Sequence, residues 1–174
     1  MNNEGYPRDM QGYGAERPDR DEFVSRFGGI YEHSAWVAES TFDRADGLSA
    51  EELADLFANC VDVAPYEKKL ALIRAHPDLA GKAAVAGELT FESTAEQSSA
   101  GIDRCTAEEF ERFQMLNGRY KEKFGFPFVM AVRDSNRHEI LAAFEGRIGN
   151  DLDTEFETAI GEIHKIARLR LEAM

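Results

Sequence analysis

Cysteine is scarce in this chain. Two thiols, Cys60 and Cys105, in 174 residues are too few for a disulfide scaffold, and their separation matches no Cys-x-x-Cys metal or redox signature. Both are expected to behave as small buried hydrophobes. Long apolar runs are missing too. No stretch approaches the roughly 18 to 20 residues of a membrane span, and the N-terminus lacks the apolar core of a secretion signal. A soluble, cytoplasmic protein is therefore expected, and Leu171-Glu172-Ala173-Met174 is not a peroxisomal address of the Ser-Lys-Leu type. Positive charge is the minority, with 20 basic against 33 acidic residues and a net charge of -13. Such a balance repels phosphates and anionic lipid, so neither nucleic acid nor a membrane is expected as a partner. There is no Gly-rich phosphate loop, Gly-x-Ser-x-Gly elbow, dinucleotide fingerprint or fixed-period repeat.

What is present is one domain's worth of core-forming residues, 43% of the chain being hydrophobic. Residues 1 to about 20 are rich in Gly, Pro and charge and cannot bury enough to offset their ordering entropy, so they read as a flexible tail before a helical domain from 21 to 174. After it the pattern is helical. A short helix is expected around Phe23, Val24 and Phe27, closed by Gly28-Gly29 in the left-handed conformation, and a second from Ser34 to Glu39. Ser49 with Glu52 has capping-box spacing before Leu53, Leu56, Phe57 and Cys60. Pro65 suits the first turn of a helix that Pro77 stops just after His76. Ser93 with Glu96, and Thr106 with Glu109, repeat the capping-box spacing, the latter opening a helix that Gly125 ends. Two further helices carry Ile140 to Ile148 and Phe156 to Leu171. Before them Phe126-Pro127-Phe128-Val129-Met130-Ala131-Val132 reads as buried extended chain. The expected fold is all-α, a single bundle of about eight helices with one short extended apolar segment.

Four histidines carry most of the possible chemistry. His138 and His164 fall on expected polar helix faces, and His33 follows a glycine turn where a structural role is the simpler explanation. His76 ends a helix, where the partial negative charge favours an imidazolium and the following proline fixes the chain. On spacing alone helix capping is the commoner explanation for it. Glu96 has the capping-box explanation, Ser93 and Gln97 pass as ordinary polar residues, and Arg133, Arg147 and Arg170 as surface charges. His76 and Asp78 have no second histidine one turn away, so no metal is expected.

Several blocks, in order, carry a resemblance. Phe27-Gly28-Gly29-Ile30-Tyr31-Glu32-His33-Ser34, His76-Pro77-Asp78-Leu79-Ala80-Gly81-Lys82 and Ser93-Thr94-Ala95-Glu96-Gln97 with Ala100-Gly101 are three of them. Leu116-Asn117 with Tyr120, Lys123-Phe124-Gly125-Phe126-Pro127-Phe128 and Arg147-Ile148-Gly149-Asn150 complete the set. Together they resemble the family of 2-oxo-4-hydroxy-4-carboxy-5-ureidoimidazoline (OHCU) decarboxylases. The resemblance implies an all-helical homodimer that decarboxylates OHCU to (S)-allantoin in urate breakdown, without metal or organic cofactor. It places the catalytic histidine and glutamate on His76 and Glu96. Substrate contacts fall on Pro77, Ser93, Gln97, Arg170 and the backbone of Phe128, Val129, Met130, Ala131 and Val132. Glu96 is then expected to pair with His76 and set its tautomer. A related ureide as substrate, or a non-enzymatic helical interaction module, are the alternatives.

Overall fold

The computed structural model of the protein describes residues 19–81, 84 and 86–174. Most of the expected tail, and Lys82 of the His-Pro-Asp-Leu block, lie outside the described residues. Among those described the chain is all-α, a single domain without strands. Its helices are α1 (Arg20–Phe27), α2 (Trp36–Thr41), α3 (Ala50–Asp62), α4 (Tyr66–Ala75), α5 (Phe91–Ser99), α6 (Ala107–Phe124), α7 (Arg137–Arg147) and α8 (Leu152–Glu172). Short 3-10 turns follow α2 at Phe42–Arg44 and α5 at Ile102–Arg104. No helix among these residues is long and apolar enough to cross a membrane.

Local chemistry starts the helices where the sequence indicates. Ser49 with Glu52 and Thr106 with Glu109 close reciprocal capping boxes at α3 and α6, and Gly125 ends α6 at φ 75°. Asp19 with Glu22 makes a further box, so residues 19 and 20 belong to the helical body rather than to the expected tail. Gly28 departs from expectation. Its φ is -65°, an ordinary helical value, and what demands glycine there is space, since a Cβ would stand 2.5 Å from the Val24 carbonyl oxygen.

Helix α8 packs along α3 and against α4, burying Phe156, Ile160, Ile163, Ala167 and Leu171 on the side where α3 buries Leu53, Phe57 and Val61. Each large apolar side chain so enclosed contributes roughly 1.5–3 kcal/mol. A second cluster stacks Phe128 on Phe144 at 3.9 Å and sets Tyr120 edge-on to both. The C-terminal end of α4, one face of α5, the 126–132 segment and Ile166 of α8 meet around a common point.

Candidate active site

Pro65 caps α4 and Pro77 forbids its continuation, so the helix ends at Ala75 and His76 is its C-cap, extended at φ -76° and ψ 139°. The turn before it leaves carbonyls without helical partners. One of them, Leu72, lies 3.0 Å from His76 Nδ1. A carbonyl only accepts, so Nδ1 carries the proton and the neutral ring keeps its lone pair on Nε2. His76 is 8% exposed. Burial pushes the imidazole down to about 4, against the opposing pull of the Leu72 bond and the Glu32 charge.

Helix α5 supplies the opposite wall. Its N-cap is Thr90, whose hydroxyl accepts from the Ser93 backbone, so the expected Ser93–Glu96 capping box does not form. Ser93 lies inside the helix instead and donates its hydroxyl to Glu32 Oε1 at 3.0 Å. One turn on, Gln97 faces the same way and is buried. Its Oε1 accepts from Ala80 N–H at 3.1 Å, and its Nε2 reaches the Asp78 carbonyl at 3.4 Å. Ala80 sits in the left-handed region at φ 51°, unusual for an L-residue and tolerated only under constraint. Gln114 Nε2 donates to its carbonyl at 2.6 Å and Asn117 Nδ2 to that of Leu79 at 2.9 Å, completing the clamp on the loop.

Glu96 turns to α8. Arg170 forks onto it through Nε and Nη2 at 2.8 and 2.9 Å, and through Nη1 reaches Glu32 at 2.8 Å. Glu32 is 2% exposed and also accepts from the Thr90 hydroxyl at 2.8 Å. Burial alone would raise its carboxyl, but Arg170 and the Thr90 hydrogen bond hold it below the ordinary value. Burial likewise works against the Arg170 charge, and the two carboxylates more than compensate.

These elements enclose a cavity of about 30 Å³ lined by His76, Pro77, Ser93, Glu96, Gln97, Phe128, Val129, Met130 and Val132, with Leu79 and Ile166. That is room for a water or two, so the walls must part for a substrate. Nine of the eleven site residues expected from sequence meet there. Two do not. Ala131 is outside the lining and donates its N–H to Glu162 Oε2 at 2.9 Å. Arg170 lines a neighbouring cavity of about 570 Å³, which shares Glu96 with the first, and its guanidinium is engaged by Glu32 and Glu96. The expected pairing of Glu96 with His76 is replaced by Glu96 with Arg170, and the tautomer is set by Leu72.

The family model for OHCU decarboxylase matches residues 16–172. The chain belongs to the OHCU decarboxylase family. The 2-oxo-4-hydroxy-4-carboxy-5-ureidoimidazoline decarboxylase of Haloferax volcanii is 48% identical over 155 residues, 89% of this chain and 90% of that one. The corresponding decarboxylase of Mus musculus is 38% identical over 153 residues, 88% and 86% of the two chains. A solved structure of (S)-allantoin synthase is 36% identical with a TM-score of 0.72, covering 90% of this chain and 50% of that chain.

For this member of the OHCU decarboxylase family, sequence reasoning missed Glu32, Leu79, Ile166 and Glu162. Glu32 offered one faint signal, a carboxylate following Ile30 and Tyr31 in a segment without helical periodicity. His164, expected on a solvated face, is partly buried between the Tyr31 hydroxyl at 2.8 Å and Asp62 at 3.0 Å. Arg147, which reads in the sequence as a surface charge, forks onto the fully buried Glu155. Cys60 and Cys105 are partly rather than fully buried, and burial raises both thiols, which disfavours the reactive thiolate.

Proposed function

We propose that this protein decarboxylates OHCU to (S)-allantoin in urate degradation, with His76 as its acid/base group and no metal or organic cofactor. One observation carries the reading: a buried imidazole of fixed tautomer, its Nε2 without a partner among the described residues, opens onto a small apolar cavity. Identity of 48% to a decarboxylase of that substrate along nearly its whole length supports it.

In OHCU the carboxylate is on a carbon that bears a hydroxyl and adjoins a ring C=N carbon. Cleavage releases carbon dioxide, and the bonding pair moves into a new C=C bond while the C=N pair goes to nitrogen, which takes up a proton. The enol left behind becomes the ring carbonyl by losing its hydroxyl proton and gaining one on the ureido-bearing carbon. Neutral His76 can accept the first proton on Nε2 and return one to a single face of that carbon. Glu32 stabilises the imidazolium formed between the two transfers. The wall of Leu79, Phe128, Val129 and Ile166 favours loss of charge from the departing carboxylate over its retention.

Glu96, held by Arg170, offers free lone pairs to ureido N–H groups, and Gln97 Nε2 has a second hydrogen to donate. Arg170 acts through Glu96 in this scheme. The ring amides pair with backbone groups of Met130 and Val132, which have no hydrogen-bond partners for Met130 N–H and C=O or Val132 N–H among the described residues. A homodimer in the cytoplasm belongs to the same proposal, the first part testable by light scattering. The deciding experiment generates OHCU in place and follows (S)-allantoin by circular dichroism. Stereospecific acceleration over spontaneous decay is expected, and its absence would leave the interaction-module alternative.

A further inference from the structure

The block Arg147-Ile148-Gly149-Asn150 has no part in the chemistry above, yet its polar residues converge on one carboxylate. Glu155 accepts from Arg147 Nε and Nη2 at 2.8 and 2.5 Å, from Asn150 Nδ2 at 2.8 Å and from the Tyr120 hydroxyl. Thus anchored, Arg147 donates Nη1 to the Val129 carbonyl at 2.8 Å and lays its guanidinium 4.3 Å from the Phe128 ring centroid. Two residues further along the same segment, Ala131 N–H is held by Glu162, whose other oxygen takes Lys165 Nζ at 2.6 Å.

These two contacts bracket Met130. The Val129 carbonyl and Met130 N–H are opposite ends of one planar peptide, and the Met130 carbonyl and Ala131 N–H are opposite ends of the next. In a trans peptide the C=O and N–H point away from each other. Holding one end therefore aims the other. Arg147 and Glu162 lie outside the catalytic cavity, whereas Met130 lines it. Among the described residues the segment has no sheet neighbour to fix its peptide planes, so these side chains set them.

We propose that Arg147 and Glu162 are positioning residues that aim the N–H and C=O of Met130 at the substrate ring, which makes them determinants of ring recognition and of the face that is protonated. The inference rests on the decarboxylation reading. Glu162 gives the cleaner test, because Arg147→Ala would strand the buried Glu155 charge. Glu162→Ala should raise KM for OHCU about tenfold, the effect of about one misdirected hydrogen bond, with a smaller change in kcat and a lower enantiomeric excess of enzyme-formed allantoin. Glu162→Gln keeps an oxygen for Ala131 N–H and should restore both. Arg147→Lys keeps the charge beside Glu155 but cannot span Val129 as well, and should reproduce the KM effect. A Glu162→Ala protein with lower Tm but unchanged KM and enantiomeric excess would overturn the inference, leaving Glu162 a packing residue. Wild-type protein that fails to accelerate OHCU decay would instead overturn the decarboxylation reading, and this one with it.

Discussion

His76 donates its Nδ1–H to the carbonyl of Leu72, one turn back in the helix it caps, at 3.0 Å. Capping and catalysis therefore use different nitrogens of one ring and can be separated by substitution. Asparagine places an amide N–H near the position of Nδ1 and offers nothing in place of Nε2. His76→Asn should keep much of the thermal stability while lowering kcat about 10²- to 10⁴-fold, the usual range for losing a general acid/base. Wild-type turnover by the folded variant would remove His76 from the mechanism.

Acid titration provides a second check. The His76 imidazole is pushed down from 6.5 to about 4 in the folded chain, so between those values the unfolded chain binds a proton that the folded chain does not. Stability from this site is complete above about pH 6.5 and is lost as the pH falls towards 4. Chemical denaturation across that window should show His76→Asn with a shallower loss than wild type. Equal slopes would mean that the ring is not held neutral by burial.

Glu32 is the carboxylate whose charge favours protonation of His76, opposed by Arg170 and His33. Glu32→Gln keeps an amide oxygen for Thr90 and Ser93 but removes the charge. The His76 pKa should fall further, and the imidazolium formed during turnover should lose support, lowering kcat about tenfold with little change in KM. An NMR titration of His76 together with steady-state kinetics reads both. An unmoved ring and unmoved kcat would reduce Glu32 to an anchor for Arg170.

Glu96 and Thr90 test the two ends of the α5 contribution to the site. Thr90 is the cap of α5 and also donates to the buried Glu32, so Thr90→Ala should cost about 1 kcal/mol of stability for the cap, seen as a lower Tm, and should raise the Glu32 carboxyl as well. Glu96→Gln should leave the fold largely intact and reduce turnover, because it weakens the fork with Arg170 beside the cavity. A variant with normal kinetics and lowered Tm would make the Arg170 pair purely structural.

Much of this was legible in the sequence because it depends on near neighbours. Capping boxes at Ser49 and Thr106, the glycine stop at Gly125 and the break around Pro127 depend on residues within a few positions. The Ser93–Glu96 reading failed because the same spacing can occur one turn inside a helix, and Ser93 is claimed by Glu32, 61 positions away. Arg170 is a different case: its place near the site follows from alignment of the blocks, but its guanidinium is engaged by two carboxylates whose approach is set by tertiary packing. Glu32, His164 and Arg147 share that limit. Each is polar in a local window and becomes a buried or partly buried, partnered group only when distant helices meet.

The loop after Pro77 carries a different consequence. Gln97, Gln114 and Asn117 hold the backbone of Asp78 to Ala80 through amides, none of which gains or loses a proton at any ordinary pH. The Lys121–Asp78 ion pair on its outer side is partly exposed and screened by salt. The scaffold that presents the site is thus nearly blind to acidity, whereas the charges of the site are not. A change of rate with pH in this protein therefore reports the protons of the site rather than those of this loop.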